Sequence, residues 1–303
     1  MSVSRRWPAY LCAAAAVLLW GSSFVAAKVA LRSITPLGLV AVRSALGLLV
    51  LCAASPFARS GRAESARPGD GLKVAVLGVI GLPVHLTLQA FALTFTSAVH
   101  SGWLIALNPV FTAALAAIFL RERFPRLKTA GVVLGFTGAL VVIGGGAGAA
   151  ALRLPSTKGD FLILLSSLNW AAYTLIARGL MVRRSSLPLT LRAIAVGTAI
   201  TVPAWLIAGR PSELLHLPLE AWAALVFLGA GCTGAGYLVW AAALARLEAG
   251  TLSSFQYVQP LVTVAVAAVW IGEFAGPTVL LGGALVLAGV LLVQRSSSPS
   301  AIA

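Results

Sequence analysis

Ten long apolar stretches alternate with short polar segments along the whole chain. Most of them contain the roughly 20 consecutive apolar residues that a helix needs to cross a bilayer. Only helices satisfy their own backbone groups in lipid without a closed barrel. The pattern therefore predicts an all-α integral membrane protein with ten transmembrane helices. The predicted spans are residues 9–31, 36–56, 72–93, 97–120, 127–146, 159–181, 188–208, 219–245, 250–272 and 277–294.

The second half of this pattern repeats the first. Residues 90–122 recur as residues 241–273, 151 positions later, and Trp20 has a partner at Trp170, 150 positions later. Duplication within a polytopic membrane protein is typical of transporters, whose substrate site lies where the two halves meet. The sequence therefore predicts two five-helix repeats with a site between them.

Composition and charge favour a membrane location and predict an orientation. The chain is 59% hydrophobic and only 10% charged, whereas soluble proteins are about 45–50% apolar and about 25% charged. The net charge of +14 does not indicate nucleic-acid binding, because most basic residues fall in alternate loops, as the positive-inside rule requires of cytoplasmic loops. Both termini are therefore predicted in the cytoplasm. Since five crossings is an odd number, the repeats, residues 1–150 and 151–303, are predicted to be inverted. The 16 basic residues assigned to the cytoplasm, of 22 in total, are Arg5, Arg6, Arg59, Arg62, Arg67, Lys73, Arg121, Arg123, Arg126, Lys128, Arg178, Arg183, Arg184, Arg192, Arg246 and Arg295.

Four of the predicted spans carry short motifs that occur together. These motifs are Trp20-Gly21-Ser22-Ser23-Phe24-Val25-Ala26-Ala27-Lys28, Arg43, Asn108-Pro109 followed by Leu120-Arg121-Glu122, and Gln259-Pro260 followed by Gly272-Glu273. Together they resemble the drug/metabolite transporter superfamily in its EamA-type family, and most closely the bacterial amino-acid exporter branch. The resemblance covers almost the whole chain. It implies ten helices in two inverted repeats and export of small metabolites across the bacterial inner membrane.

A transport cavity needs polar and aromatic side chains on helix faces that look into the bundle, because polar groups that face lipid are costly. Such groups recur at helical spacing in the first, third, fourth, sixth, eighth and ninth spans. Ordinary helix packing and interfacial anchoring are the alternative interpretations of the same residues. The predicted cavity residues are Trp20, Ser23, His85, Gln89, Trp103, Asn108, Asn169, Trp170, Tyr173, Tyr237, Trp240, Gln256 and Gln259.

A second group of residues is predicted to serve gating or structural roles. It consists of Arg43, Pro109, Glu122, Pro260 and Glu273. For Arg43, two interpretations are open: attraction of a substrate carboxylate, or a tie to helix-end carbonyls or to one of the two glutamates. A lone arginine within a membrane tends to have a nearby partner, and the structural interpretation is favoured.

The acidic residues all fall in loops or at the ends of spans. Proton-coupled carriers commonly use a carboxylate within the membrane, so the pattern favours a facilitator. If protons are coupled, His85 is the first candidate to titrate. The chain lacks paired carboxylates, a metal-ligand cluster and a nucleophile triad, which argues against an enzyme and predicts neither metal nor cofactor.

These observations predict an inner-membrane exporter of small amphipathic metabolites, amino acids including aromatic ones, that works by alternating access. A multidrug or organic-cation exporter and a nucleotide-sugar carrier of the same superfamily are the alternatives. The expected partners are a small-molecule substrate and the lipid bilayer, without nucleic acid. Gly131 and Gly135 resemble a helix-packing motif, which fits either packing within a monomer or a homodimer formed through the fifth or tenth helix.

Overall fold

The computed structural model describes residues 7–57, 67–119, 125–145, 154–181, 186–244, 246–247 and 255–295. Within these ranges all of the regular secondary structure is helical, and there is no β-strand. The α-helices are α1 (Trp7–Ala30), α2 (Pro36–Ala54), α3 (Asp70–Val79), α4 (His85–Phe95), α5 (Ala98–Ile105), α6 (Asn108–Phe119), α7 (Arg126–Gly145), α8 (Leu154–Met181), α9 (Ser186–Ala208), α10 (Leu219–Val226), α11 (Gly236–Leu244), α12 (Val258–Trp270) and α13 (Pro277–Arg295).

The helices are those of a multi-pass membrane protein. In the described part of the chain, eight helical segments are long and apolar enough to cross a membrane, and α12 and most of α13 form two shorter apolar helices. The all-helical membrane fold predicted from the sequence is confirmed. The count of ten spans stays a prediction, because eight of the described helical segments meet the length and composition of a full crossing.

Local sequence accounts for several helix ends. At α2 the Thr35 side chain accepts a hydrogen bond from the Gly38 N–H at 3.2 Å, and Pro36 occupies the first position, where a missing N–H costs little. At α5 the hydroxyl of Ser97 accepts a hydrogen bond from the His100 N–H at 3.0 Å. A polar side chain thus replaces the missing helical acceptor at both sites.

Two spans contain a widened π-helical turn, and the two turns lie at related positions. Residues Ile80–Val84, which include Pro83, join α3 to α4, and residues Phe227–Ala235 join α10 to α11. The 151-residue offset of the sequence repeat relates the first turn to the last five residues of the second turn. A π-helical turn leaves backbone carbonyls without their usual partners, and such turns are frequent at functional sites.

Glycines allow α7 and α13 to pack backbone against backbone. A Cβ atom on Gly138 would lie 2.5 Å from the Val286 nitrogen, and one on Gly131 would lie 2.6 Å from the Gly289 carbonyl oxygen. The glycines of the fifth span are therefore used in packing within the chain, against the last helix. This contact explains the glycine spacing without a second copy.

Candidate functional site

A central cavity lies between the two halves of the chain. It encloses about 480 Å³ of space not filled by atoms, part of it open to solvent. Helices α1, α2, α4, α5 and α6 of the first half and α8, α11 and α12 of the second half contribute lining residues. The lining residues are Trp20, Ser23, Phe24, Arg43, His85, Leu86, Gln89, Ile105, Asn108, Trp170, Tyr237, Gln256 and Gln259.

Aromatic rings form one side of this cavity. The ring centroid of Trp20 lies 5.6 Å from that of Tyr237 and 6.1 Å from that of Trp170, in edge-to-face arrangements that aromatic pairs prefer. The indole N–H of Trp20 donates to the carbonyl oxygen of Cys232 at 3.1 Å, which anchors the ring to the π-helical turn of the eighth span. This side of the cavity offers apolar ring faces to a bound solute.

Arg43 is the basic residue of the lining, and it is only 7% exposed. Its Nε–H donates to the hydroxyl of Thr233 at 3.2 Å, and the Thr233 hydroxyl donates to the carbonyl oxygen of Leu228 at 3.0 Å. No Asp or Glu lines the cavity among the described residues. Of the partners that the structural interpretation allowed for Arg43, Glu273 binds the backbone of α5, so the structural role of Arg43 stays a prediction.

His85 lies in a chain of hydrogen bonds that crosses between the halves. Its Nδ1 is 3.1 Å from the carbonyl oxygen of Ser166, and its Nε2 is 3.2 Å from Nε2 of Gln89. Because a carbonyl only accepts and an amide nitrogen only donates, Nδ1 carries the hydrogen and Nε2 does not. The imidazole is therefore neutral in this arrangement, and its ring lies 4.9 Å from that of Trp170.

Asn108 and Gln259 hold equivalent places at the start of long helix segments, each directly before a proline. In the fourth span the helix is interrupted between α5 and α6, and Asn108 is the first residue of α6. Its Oδ1 is buried and has no hydrogen-bond partner among the described residues. Gln259 lies one turn before Thr263, whose hydroxyl donates to Gly21 O at 2.7 Å and so joins α12 to α1.

Not every predicted cavity residue lines the cavity. Trp103 is not among the lining residues: its ring lies against Gly283 of α13, where a Cβ atom would come within 2.5 Å of the indole. Tyr173 stacks behind Trp170 at 4.8 Å, and the Asn169 amide donates to the carbonyl oxygen of Ile80 at 2.7 Å. Trp240 packs against Trp20, with ring centroids 5.1 Å apart. The last three residues therefore support the cavity from behind its lining.

Three apolar lining residues were not predicted from the sequence: Phe24, Leu86 and Ile105. Phe24 lies four residues after Trp20 on the same face of α1, so helical spacing from Trp20 was the sequence feature that could have identified it. Leu86 and Ile105 have no such feature, because apolar residues also face lipid. The predicted residue Glu122 lies outside the described residues.

Polar contacts tie the halves together at one end of the bundle, called here the Thr96 end after the residue between α4 and α5. Asp160 of α8 accepts a hydrogen bond from the Thr96 hydroxyl, and its Oδ2 lies 3.2 Å from Nδ1 of His100. The Glu273 carboxylate accepts the N–H of Val99 at 2.7 Å and of Ala98 at 3.2 Å, as an anion at the positive end of a helix.

Further contacts close the same end. The Glu213 carboxylate accepts the Thr35 N–H at 2.9 Å and the Thr35 hydroxyl at 2.8 Å. The Lys28 ammonium donates to the carbonyl oxygens of Leu93 and Thr96, at the end of α4, where a cation is favoured. Three acidic residues, Asp160, Glu213 and Glu273, thus join the two halves at the Thr96 end.

Comparison with known proteins places the chain among membrane carriers. The EamA-like transporter family model matches residues 7–144 and again residues 157–295. The chain is 30% identical over 280 residues to the "Probable terminal-alkyne amino-acid exporter" of Streptantibioticus cattleyicolor, covering 92% of this chain and 91% of that protein. It is 27% identical over 290 residues to the "Probable amino-acid metabolite efflux pump" of Salmonella typhimurium, covering 91% of each. A crystal structure with 21% sequence identity superposes with a TM-score of 0.68 and covers 97% of this chain and 100% of that one.

Proposed function

The chain belongs to the EamA-like transporter family, and we propose that it exports small amphipathic metabolites, above all amino acids, including aromatic ones. It is a membrane transporter of the type that this family comprises. The substrate class rests on the cavity, and two relatives whose names describe amino-acid export support it.

One observation carries the proposal: among the described residues, the cavity lining combines aromatic faces with neutral amides and one buried cation, Arg43. Trp20, Trp170 and Tyr237 offer an apolar surface, while Gln89 and Gln259 offer hydrogen bonds. The apolar side chain of an amino acid can pack against the aromatic surface, and its zwitterionic ammonium and carboxylate groups can form hydrogen bonds with the polar residues. Because carboxylates are absent from the described lining, nothing there repels the carboxylate of such a solute.

The contacts at the Thr96 end support an alternating-access cycle. This end is held together by hydrogen bonds between the halves, which can break and reform. The positive-inside pattern supports an orientation with the Thr96 end on the outer side and both termini in the cytoplasm. In this proposal the two repeats move against each other, and the substrate leaves when the Thr96 end opens.

Counterflow in liposomes tests the proposal. Liposomes with purified protein are loaded with unlabelled phenylalanine, and uptake of labelled phenylalanine, leucine, glutamate and lysine is followed at two pH values. Phenylalanine and leucine should accumulate transiently, while protein-free liposomes show no accumulation. Accumulation of none of these amino acids would contradict the proposed substrate class.

A second candidate substrate class is organic cations, because aromatic faces attract cations. The specific observation in its favour is the group of rings around Trp20. Arg43 in the same cavity weighs against it, since two cations would repel each other there. Tetraphenylphosphonium in the same counterflow assay distinguishes the two classes. A nucleotide sugar would need more than one basic residue to bind its phosphates.

A further inference from the structure

We propose that Arg43 binds the carboxylate of the transported solute, so that a free carboxylate is required for transport. The inference rests on the proposed function, since it deepens the description of the same cavity. It also assigns to Thr233 a role as the residue that positions the guanidinium.

The geometry leaves the outer part of the guanidinium available. The Nε–H of Arg43 is engaged by the Thr233 hydroxyl at 3.2 Å. Neither Nη1 nor Nη2 forms a hydrogen bond or an ion pair with a described residue. The side chain lines the cavity, so these two nitrogens are the part of the group that a solute can meet. A planar pair of nitrogens matches the two oxygens of a carboxylate.

The buried positive charge of Arg43 would be stabilised by a partner of opposite charge. A buried charge within a membrane is costly unless it is paired. The described acidic residues close to the bundle are engaged elsewhere: Asp160 with His100 and Thr96, Glu273 with the backbone of α5, and Glu213 with Thr35. A carboxylate that enters with the solute supplies the missing partner and leaves with it.

Asn108 provides an independent observation on the same cavity wall. Its side chain is 9% exposed, and its Oδ1 is a buried acceptor without a donor among the described residues. An acceptor in this position suits the ammonium group of an amino acid. The cavity therefore contains Arg43 for the carboxylate of a zwitterion and Asn108 for its ammonium group, together with aromatic faces for its side chain.

The π-helical turn of the eighth span holds Arg43 in place. Thr233 belongs to this turn, and its own hydroxyl hydrogen goes to the carbonyl oxygen of Leu228. The hydroxyl oxygen is thereby aimed at Arg43 Nε. Its methyl group meets Gly47 of α2, where a Cβ atom would lie only 2.6 Å away, so the two helices fix the threonine.

The first test uses wild-type protein alone. Exchange of labelled phenylalanine in liposomes is competed with phenylalanine, phenylalaninamide, phenethylamine and 3-phenylpropionate. The two compounds without a carboxylate should compete about tenfold or more weakly than phenylalanine, because they leave Arg43 unpaired. 3-Phenylpropionate should compete better than phenethylamine. Equal competition by phenylalanine and phenylalaninamide would overturn the inference.

The second test uses variants. Arg43→Gln should weaken phenylalanine binding, measured by quenching of tryptophan fluorescence, about tenfold or more while leaving phenylalaninamide binding within about twofold. Thr233→Val, which keeps the shape but removes the hydrogen-bond acceptor, should show a smaller loss in the same direction. Arg32→Gln removes an exposed charge and serves as the control. Unchanged discrimination in Arg43→Gln would overturn the inference.

The outcomes separate this inference from the proposed function. If wild-type protein exchanges 3-phenylpropionate but no amino acid, the amino-acid class is wrong and the carboxylate site stands. If it exchanges phenylalanine and phenylalaninamide equally, the amino-acid class stands and the carboxylate site is wrong. Should Arg43→Gln fail to fold, the wild-type competition still decides the question.

Discussion

Asp160 and His100 form a buried pair that joins the two halves of the chain, with Oδ2 of Asp160 3.2 Å from Nδ1 of His100. Asp160 has no exposed surface, and His100 is 6% exposed. The carboxylate also accepts a hydrogen bond from the hydroxyl of Thr96, whose own carbonyl oxygen accepts one from Lys28. The contact ties α8 to the turn between α4 and α5, so the opening of the Thr96 end that we propose requires this contact to break.

Asp160→Asn should loosen the Thr96 end. The amide keeps the shape but loses the charge that favours the hydrogen bonds from Thr96 and His100, which costs about 1–3 kcal/mol. We expect a shift towards conformations in which this end is open. Ser23→Cys, in a chain whose native cysteines are replaced by alanine, should then react faster with a membrane-impermeant thiol reagent added outside. Glu220→Gln, at an exposed pair with Arg32, is the control and should leave the rate unchanged.

Trp103→Ala and Trp170→Ala should have opposite consequences. Trp103 is packed against Gly283 away from the cavity, so its truncation should cost about 3–5 kcal/mol of stability and leave the order of substrate preference unchanged. Trp170 lines the cavity, so its truncation should change the relative counterflow of phenylalanine and leucine. Thermal unfolding in detergent and the counterflow panel measure the two effects. A Trp170→Ala variant with unchanged proportions across the panel would contradict its assignment to the cavity.

Gly138→Ala should destabilise the contact between α7 and α13. A Cβ atom at this position meets the Val286 nitrogen at 2.5 Å and the Gly282 carbonyl oxygen at 2.7 Å, and backbone atoms cannot move aside cheaply. We expect a loss of about 1–3 kcal/mol in the free energy of unfolding. Gly276→Ala is the matched control, because no heavy atom lies within 4 Å of its added Cβ atom. Equal unfolding temperatures for the two variants would show that this packing does not limit stability.

Reporter fusions test the orientation. Fusions near residues 65, 124 and 184 and at the C-terminus should report a cytoplasmic location, and fusions near residues 34, 153 and 213 an external one. The physical reason is the retention of basic loops on the cytoplasmic side. An external C-terminus would contradict both the count of ten spans and the inverted arrangement of the repeats.

Hydropathy and the sequence repeat predicted the larger features of this protein. The long apolar runs indicated helices because lipid offers no partner for open backbone groups, and the structure has helices in those places. The repeat with its paired motifs indicated the family. Trp20, Trp170 and Tyr237 are among the cavity residues predicted from the sequence, and the structure has all three in the lining of one cavity.

The direction in which each side chain points was decided only by the tertiary structure. Trp103 and Trp170 look alike in sequence, since both lie deep in apolar spans, yet one faces α13 and the other faces the cavity. A helix that is apolar on all sides has no stripe of polar residues along one face. Its sequence therefore does not distinguish the lipid-facing side from the packed side, because lipid and protein interior are equally apolar. The pairing of Asp160 with His100, and of Arg43 with Thr233, joins residues 60 and 190 positions apart. The local sequence determined which segments are helical membrane spans, whereas the rotation of each helix about its axis, and with it the site, was settled by packing between the helices.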